Sequence, residues 1–182
     1  GSYMPCFNAG INAALLLSAS LGKQAYPFSH QEGHAAAIIP TEEADRCIIM
    51  HLSGGTTEFL LCEADDEGYK MELVGGTKDI SFGQLLDRFG VALGLQFPAG
   101  RYLDDMAYEC VPFSGKMVLP KVKLDDCYFN LSGAEAKLIG FAKTKEAQDM
   151  AEVKHVCIEL FEYIADILLR SSEELIKKHG ID

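Results

Sequence analysis

The chain has 182 residues, 48% of them apolar and 24% charged, with a mean hydropathy of +0.06. That balance excludes disorder, and 17 glycines and 6 prolines without a period exclude collagen-like and low-complexity classes. Sixteen basic against 27 acidic residues leave a net charge of −11, the wrong sign for an unaided binder of a phosphate backbone.

The acidic excess gathers between Thr41 and Lys70, where eight carboxylates meet two cations, Arg46 and Lys70. Lys116, Lys121 and Lys123 follow one another with no acid between them, a small patch that either touches phosphate or is simply solvated. Six cysteines (Cys6, Cys47, Cys62, Cys110, Cys127, Cys157) show no C-x-x-C spacing and sit mostly among apolar neighbours, so buried reduced thiols are expected.

Taken in chain order, Asn12 to Leu21 is an Ala- and Leu-rich run that predicts a buried helix ending at Gly22. The longest apolar stretch, Ile11 to Leu21, is broken by Asn12, Ser18 and Ser20 and is too short for ~30 Å of hydrocarbon. With no basic segment before it, it does not read as a secretory signal either, and no membrane association and a cytoplasmic location are expected. Gln24 to Phe28 reads as a strand or extended segment. Ser29-x-x-Glu32 has the form of a capping box, placing a helix after Ser29 that Pro40 stops. RCIIMHLS, EFLLCE and YKMELVGG, separated by Gly54-Gly55 and by residues 65–68, predict a three-stranded antiparallel meander.

Ser81-x-x-Gln84 opens a helix whose Leu85, Phe89, Ala92 and Leu93 make one apolar stripe. A further helix is expected over Tyr102 to Cys110, then a loop with short extended pieces from Val111 to Tyr128. Ser132-x-x-Glu135 suggests a third capping box on a helix reaching Ile139. A long last helix, about Glu146 to His179, carries Val153, Cys157, Leu160, Ile164, Leu168 and Leu175 on its apolar face and closes at Gly180. Few strands serve many helices, which reads as part of a larger protein.

Three features could carry chemistry. His30 and His34 lie four residues apart in the first turns of a helix, close enough on one face to share a metal, and equally consistent with a polar face. Two imidazoles do not complete a zinc or iron shell. Glu32 between them is a candidate base or second ligand-orienting group that capping explains as well. Ser53-Gly54-Gly55-Thr56-Thr57 either opens backbone amides to a phosphate or is a plain hairpin turn. Asp87 and Gly100, flanking LGLQFPAG, could accept from a ribose hydroxyl and expose backbone amides.

In this order, these pieces resemble the tRNA threonylcarbamoyladenosine transferases (the TsaD/Gcp family, long called glycoproteases or O-sialoglycoprotein endopeptidases). H-Q-E-G-H at His30 to His34 matches the family's H-x-E-G-H, SGGTT its S-G-G-H-T, FGQLLDR its G-E-x-F-D-K, LGLQFPAG its L-G-L-x-Y-P-G-G, and FNLSGAEA its F-S-F-S-G-L-K-T. The likeness runs from about Gly10 to the C-terminus.

The resemblance implies an α/β protein of the actin-like ATPase (ribonuclease H-like) fold, here incomplete and the middle part of a two-lobed protein. Residues 1–44 would be the remainder of the first lobe and 45–182 the first part of the second. It further implies one divalent metal, zinc or iron, on His30 and His34. ATP or an acyl-adenylate would sit on Ser53, Gly54, Gly55, Thr56, Asp87 and Gly100. Threonylcarbamoyl transfer to N6 of a tRNA adenosine would be the reaction. The tRNA would be bound only with help from a partner protein, in a homo- or heterodimer with an actin-like subunit. The chain by itself is expected to be inactive. Alternatives are a non-catalytic interaction module and a metallo-glycoprotease with Glu32 as base. The chain departs from the pattern at Thr56 (histidine in the family), Gln84 (acidic), Arg88 (lysine) and Ala99 (glycine).

Overall fold

The computed structural model describes residues 4–29, 32–37, 45–65, 68–108 and 119–181. The chain divides into two compact units, Gly1–Ala44 and Asp45–Asp182.

In the first unit, α1 spans Met4–Leu21 and so starts eight residues before the expected Asn12. No residue of α1 is buried, which corrects the expectation of a buried helix. Its sequence gives the reason: Met4, Phe7, Ile11, Leu15, Leu16, Leu17 and Leu21 spread apolar groups around the circumference, and the described part of this unit holds no sheet to cover them. Its 18 residues extend about 27 Å. Length therefore does not exclude a membrane span, as the shorter 11–21 stretch suggested; α1 is the one described helix long and apolar enough to cross a membrane. Gly22, at φ +59°, ends it. Residues 24–28 form no strand; no partner strand lies in the described part of the unit, and Pro27 lacks an N–H. A helical turn, α2, covers residues 32–37.

The second unit begins with the meander. β1 (Arg46–Leu52), β2 (Thr57–Asp65) and β3 (Gly68–Thr77) pair antiparallel in sequence order. The Ser53 N–H donates to the Thr56 carbonyl at 2.9 Å, leaving Gly54-Gly55 as a two-residue tip, as the turn chemistry predicts. A bulge between Phe59 and Leu60 adjusts the register so that Phe59 lies opposite Gly75. A side chain at Gly75 would collide with the Phe59 ring and the Cys127 backbone, so only glycine fits there. β4 (Tyr128–Phe129) adds a short parallel strand to β3 inside the segment read as loop. It is delivered by a tight turn in which Asp125 and Tyr128 exchange backbone bonds, with Asp126 and Cys127 both at positive φ.

α3 (Phe82–Ala92) carries the expected box: Ser81 Oγ accepts the Gln84 N–H at 3.1 Å and Gln84 Oε1 accepts the Ser81 N–H at 3.1 Å. α4 spans Gly100–Tyr108. α5 (Ser132–Phe141) has no side-chain cap of its own, which overturns the third capping box. Asp79, 52 residues earlier, does that work, its carboxylate accepting the Leu131 and Ser132 N–H groups, each at 2.9 Å. A 3₁₀ turn (Glu146–Gln148) precedes α6 (Met150–His179), whose true N-cap is Asp149, accepting the Ala151 N–H. Gly180, at φ +60°, closes α6 as predicted, and Lys177, Lys178 and His179 complement its dipole.

The core gathers Phe59 and Leu61 from the sheet, Leu85 and Phe89 from α3, Leu138 from α5, and Leu160, Ile167 and Leu175 from α6. Each such burial contributes about 1.5–3 kcal/mol. The buried face of α6 is centred on Tyr163 and Ile167, one residue round from the expected Ile164 and Leu168, which are half-buried. Ring stacking of Phe82 on Phe129, centroids 5.6 Å apart, ties α3 to β4.

The Asp79 staple makes stability acid-sensitive. Burial raises its carboxyl pKa, but the Leu131, Ser132 and Ile80 N–H groups and the Ser132 hydroxyl outweigh that and hold it near 2. A depressed pKa contributes stability above the ordinary carboxylate value of 3.8 and loses it as pH falls towards 2. Asp79→Asn is expected to lower the urea midpoint at pH 7 and to flatten the loss of stability between about pH 4 and 2. An unchanged acid limb in the variant would contradict this.

Candidate functional site

The tip between β1 and β2 is anchored from behind by α3. Thr57, fully buried, accepts the Phe82 N–H on its hydroxyl at 3.0 Å. The Ser81 hydroxyl donates to the Gly54 carbonyl at 2.9 Å. Gly83 lies so close that a Cβ there would stand 2.5 Å from the Gly54 Cα. On its outer side the tip is open, since a Cβ on Gly54 or Gly55 would meet nothing within 4 Å.

Within the tip, Ser53 Oγ accepts the Gly55 N–H at 3.2 Å and the Thr56 N–H at 3.0 Å. Two of the amides that a glycine turn could offer to phosphate are thus turned onto Ser53, and a ligand would have to exchange with that hydroxyl to use them. Thr56 Oγ1 is 2.8 Å from Ser53 Oγ and 3.2 Å from His51 Nδ1. His51 Nδ1 is in turn 3.7 Å from the Glu58 carboxylate, its register partner on β2.

Asp87 meets the region of Gly100 through one bond: its carboxylate accepts the Ala99 N–H at 2.7 Å. Ala99 is fully buried and seated against Gly90, where a Cβ would collide with the Ala99 methyl. Gly100 opens α4 with space around it. Gly83, Asp87 and Gly90, at i, i+4 and i+7, share one face of α3. The glycine tip and the Ala99–Gly100 corner are therefore both fastened to that face, about 6 Å apart along the axis at Gly83 and Asp87. Sequence reasoning missed Ser81, Gly83, Gly90 and His51 in this role; small residues spaced at helical intervals were the available signal.

The departures from the family pattern keep the scaffold. Gln84 caps α3 with an uncharged oxygen, Arg88 ties α3 to α5 through Glu135 at 2.8 Å, and the Ala99 methyl fills the space over Gly90. Thr56 is the one that lies within the tip itself, bonded to Ser53 and His51.

His30 lies outside the described residues. His34 is exposed on α2, and Glu32 is engaged in the Ser29 capping box: the Glu32 N–H donates to Ser29 Oγ at 3.1 Å and the Ser29 N–H to the Glu32 carboxylate. Those bonds from the Ser29 backbone and hydroxyl hold the Glu32 pKa below the usual range, which suits a cap better than a base. Among the described residues no group of three His, Cys, Asp or Glu side chains could hold a metal, so the metal set is not complete within them. Of the lysine patch, Lys121 lies beside Glu162 and Asp166, Lys123 lies among Arg170, Lys177, Glu173 and Glu174, and Lys116 lies outside the described residues.

Gly90→Ala is expected to destabilise the chain by about 1–3 kcal/mol in urea unfolding, because its methyl meets that of Ala99. Adding Ala99→Gly should recover most of the loss; failure of that rescue would contradict the close packing of α3 on the corner.

Comparison with known proteins matches residues 1–182, α1 included, to the family model described as TsaD, tRNA N6-adenosine threonylcarbamoyltransferase. Curated proteins of that name are similar: one from Thermotoga neapolitana is 31% identical over 94% of this chain and 51% of its own length. One from Phytoplasma australiense is 29% identical over 93% of this chain and 50% of its own, and one from Streptococcus pneumoniae (strain P1031) 29% over 94% and 51%. The chain thus spans about half the length of the curated relatives it matches. With the motif order, the mixed α/β architecture and a match along all 182 residues in agreement, the chain belongs to the TsaD family of tRNA N6-adenosine threonylcarbamoyltransferases.

Proposed function

We propose that this chain forms part of an enzyme that transfers a threonylcarbamoyl group from its adenylate to N6 of an adenosine in tRNA, and that the second unit supplies part of the adenylate site. The observation that carries this reading is the common fastening of the Ser53–Thr56 tip and the Asp87–Gly100 corner to one face of α3. An adenylate held between the two would meet the outer side of the tip with its phosphate and the Asp87–Gly100 corner with its sugar. The antiparallel meander followed by a helix suits the start of an actin-like lobe, with residues 1–44 contributing to the lobe before it.

In the reaction, the N6 lone pair attacks the carbamoyl carbon, the bond from that carbon to the phosphate oxygen breaks, AMP leaves, and N6 gives up a proton. Holding the adenylate rigid turns this into an encounter of two positioned groups. A divalent zinc or iron on His30 and His34, completed by ligands from outside this stretch, would supply Lewis acidity. The tRNA, given a net charge of −11, would be held chiefly by a partner protein, in a dimer of related subunits; the chain alone would be inactive.

A non-catalytic interaction module is the second reading, favoured by the two tip amides already satisfied by Ser53. The hydrolase reading is weaker, since Glu32 is committed to its cap.

Two measurements separate these readings. ATP at a hundredfold excess over its Kd should stabilise the protein by about 2.7 kcal/mol, read as a thermal shift, and Asp87→Ala should remove most of it. A flat titration of the parent favours the module. The full-length protein with its partner should convert threonylcarbamoyl-adenylate and tRNA to the N6-modified nucleoside, detected by mass after digestion, and His34→Ala should abolish the product. Product formation unaffected by that change would remove His34 from the reading.

A further inference from the structure

The protons of the glycine tip can be counted. Ser53 Oγ accepts two amides, from Gly55 and Thr56, so both its lone pairs are engaged and its own proton must be donated. Thr56 Oγ1, 2.8 Å away, takes it. His51 Nδ1 stands 3.2 Å from the same oxygen. The Glu58 carboxylate, 3.7 Å from Nδ1, favours a proton on that nitrogen, in either the neutral or the charged ring. Thr56 Oγ1 then accepts twice and keeps one proton in hand. α3 packs behind the tip at Gly83, and Thr56 is half-buried beside the open Gly54-Gly55 pair, which leaves that proton for a ligand arriving from the outer side.

We propose that the Thr56 hydroxyl is the ligand-facing donor of the tip and that His51 is the positioning residue that aims it. The tip then selects an acceptor oxygen, such as a phosphoryl oxygen of a nucleotide, over a group that can only donate. This rests on the nucleotide reading of the tip given above. Where the family pattern carries a histidine at position 56, this chain places a hydroxyl there and brings an imidazole to it from β1. The arrangement accounts for a departure that would otherwise be only a loss.

Titration calorimetry of the intact chain with ATP, and with adenosine as the probe lacking phosphate, tests it. Thr56→Val should weaken ATP roughly tenfold or more, while Thr56→Ser should not. His51→Asn, whose amide reaches about as far as Nδ1, should stay within about threefold of the parent, and His51→Leu should fall with Thr56→Val. The double variant His51→Leu, Thr56→Val should be no weaker than Thr56→Val alone, because both act through one hydroxyl. Adenosine binding should not change in any of them, and nitrogen NMR of the free chain should find the proton on Nδ1 of His51. The proposal is overturned if His51→Leu or Thr56→Val binds ATP like the parent, if adenosine weakens in parallel, or if Nδ1 carries no proton. A parent chain that does not bind ATP overturns the nucleotide reading of the tip and this proposal with it. ATP binding with silent variants removes the proposal alone.

Discussion

The second unit depends on the clamp between the β1–β2 tip and the start of α3. Thr57 is buried with its hydroxyl accepting the Phe82 N–H, Ser81 reaches back to Gly54, and Gly83 leaves room for nothing larger than a hydrogen. A helix N-terminus has N–H groups in need of partners, and here a strand residue and the helix's own Ser81 provide them. Losing one such buried partner costs about 1–3 kcal/mol, a large share of a domain's stability. Because the clamp joins residues 25 and 27 apart in sequence, it also fixes which way the tip faces.

From that clamp the rest of the site follows along α3. One face carries Phe82, Leu85 and Phe89 into the core, and another carries Gly83, Asp87 and Gly90 to the tip and the corner. Core packing therefore sets the rotation of α3, and the rotation sets where the tip and Gly100 stand. Gln84, Arg88 and Ala99 respect this plan by capping, bridging and filling, so divergence at those positions has not disturbed the scaffold. Thr56 differs, since it changes the hydrogen bonding within the tip, where it meets Ser53 and His51.

The meander was legible because two glycines and a polar turn leave the chain no alternative to antiparallel pairing, and the Ser81 box because its partners lie three residues apart. Gly180 was legible for the same local reason. What escaped was long-range. Ser132 looks like a cap in sequence, yet Asp79 arrives from across the fold and caps α5 first. β4 is two residues long and too short for any pattern to register. The exposure of α1 could not be read from an apolar run, which records what a segment can bury and not whether a surface is there to bury it. His51 was hidden inside a strand pattern, where its neighbour across the turn could be inferred only from register. His30 and His34 were legible only as a spacing.

The central claim is that a nucleotide is held between the tip and the corner that α3 fastens. Amide NMR of the chain titrated with ATP tests it most directly, since each backbone group reports for itself. The account predicts shifts concentrated at Gly54, Gly55, Thr56 and Gly100, with little change in the cavity between α5 and α6 lined by Lys137, Phe141 and His155. Shifts confined to that cavity, with the glycine tip and Gly100 unmoved at saturating ATP, would contradict it.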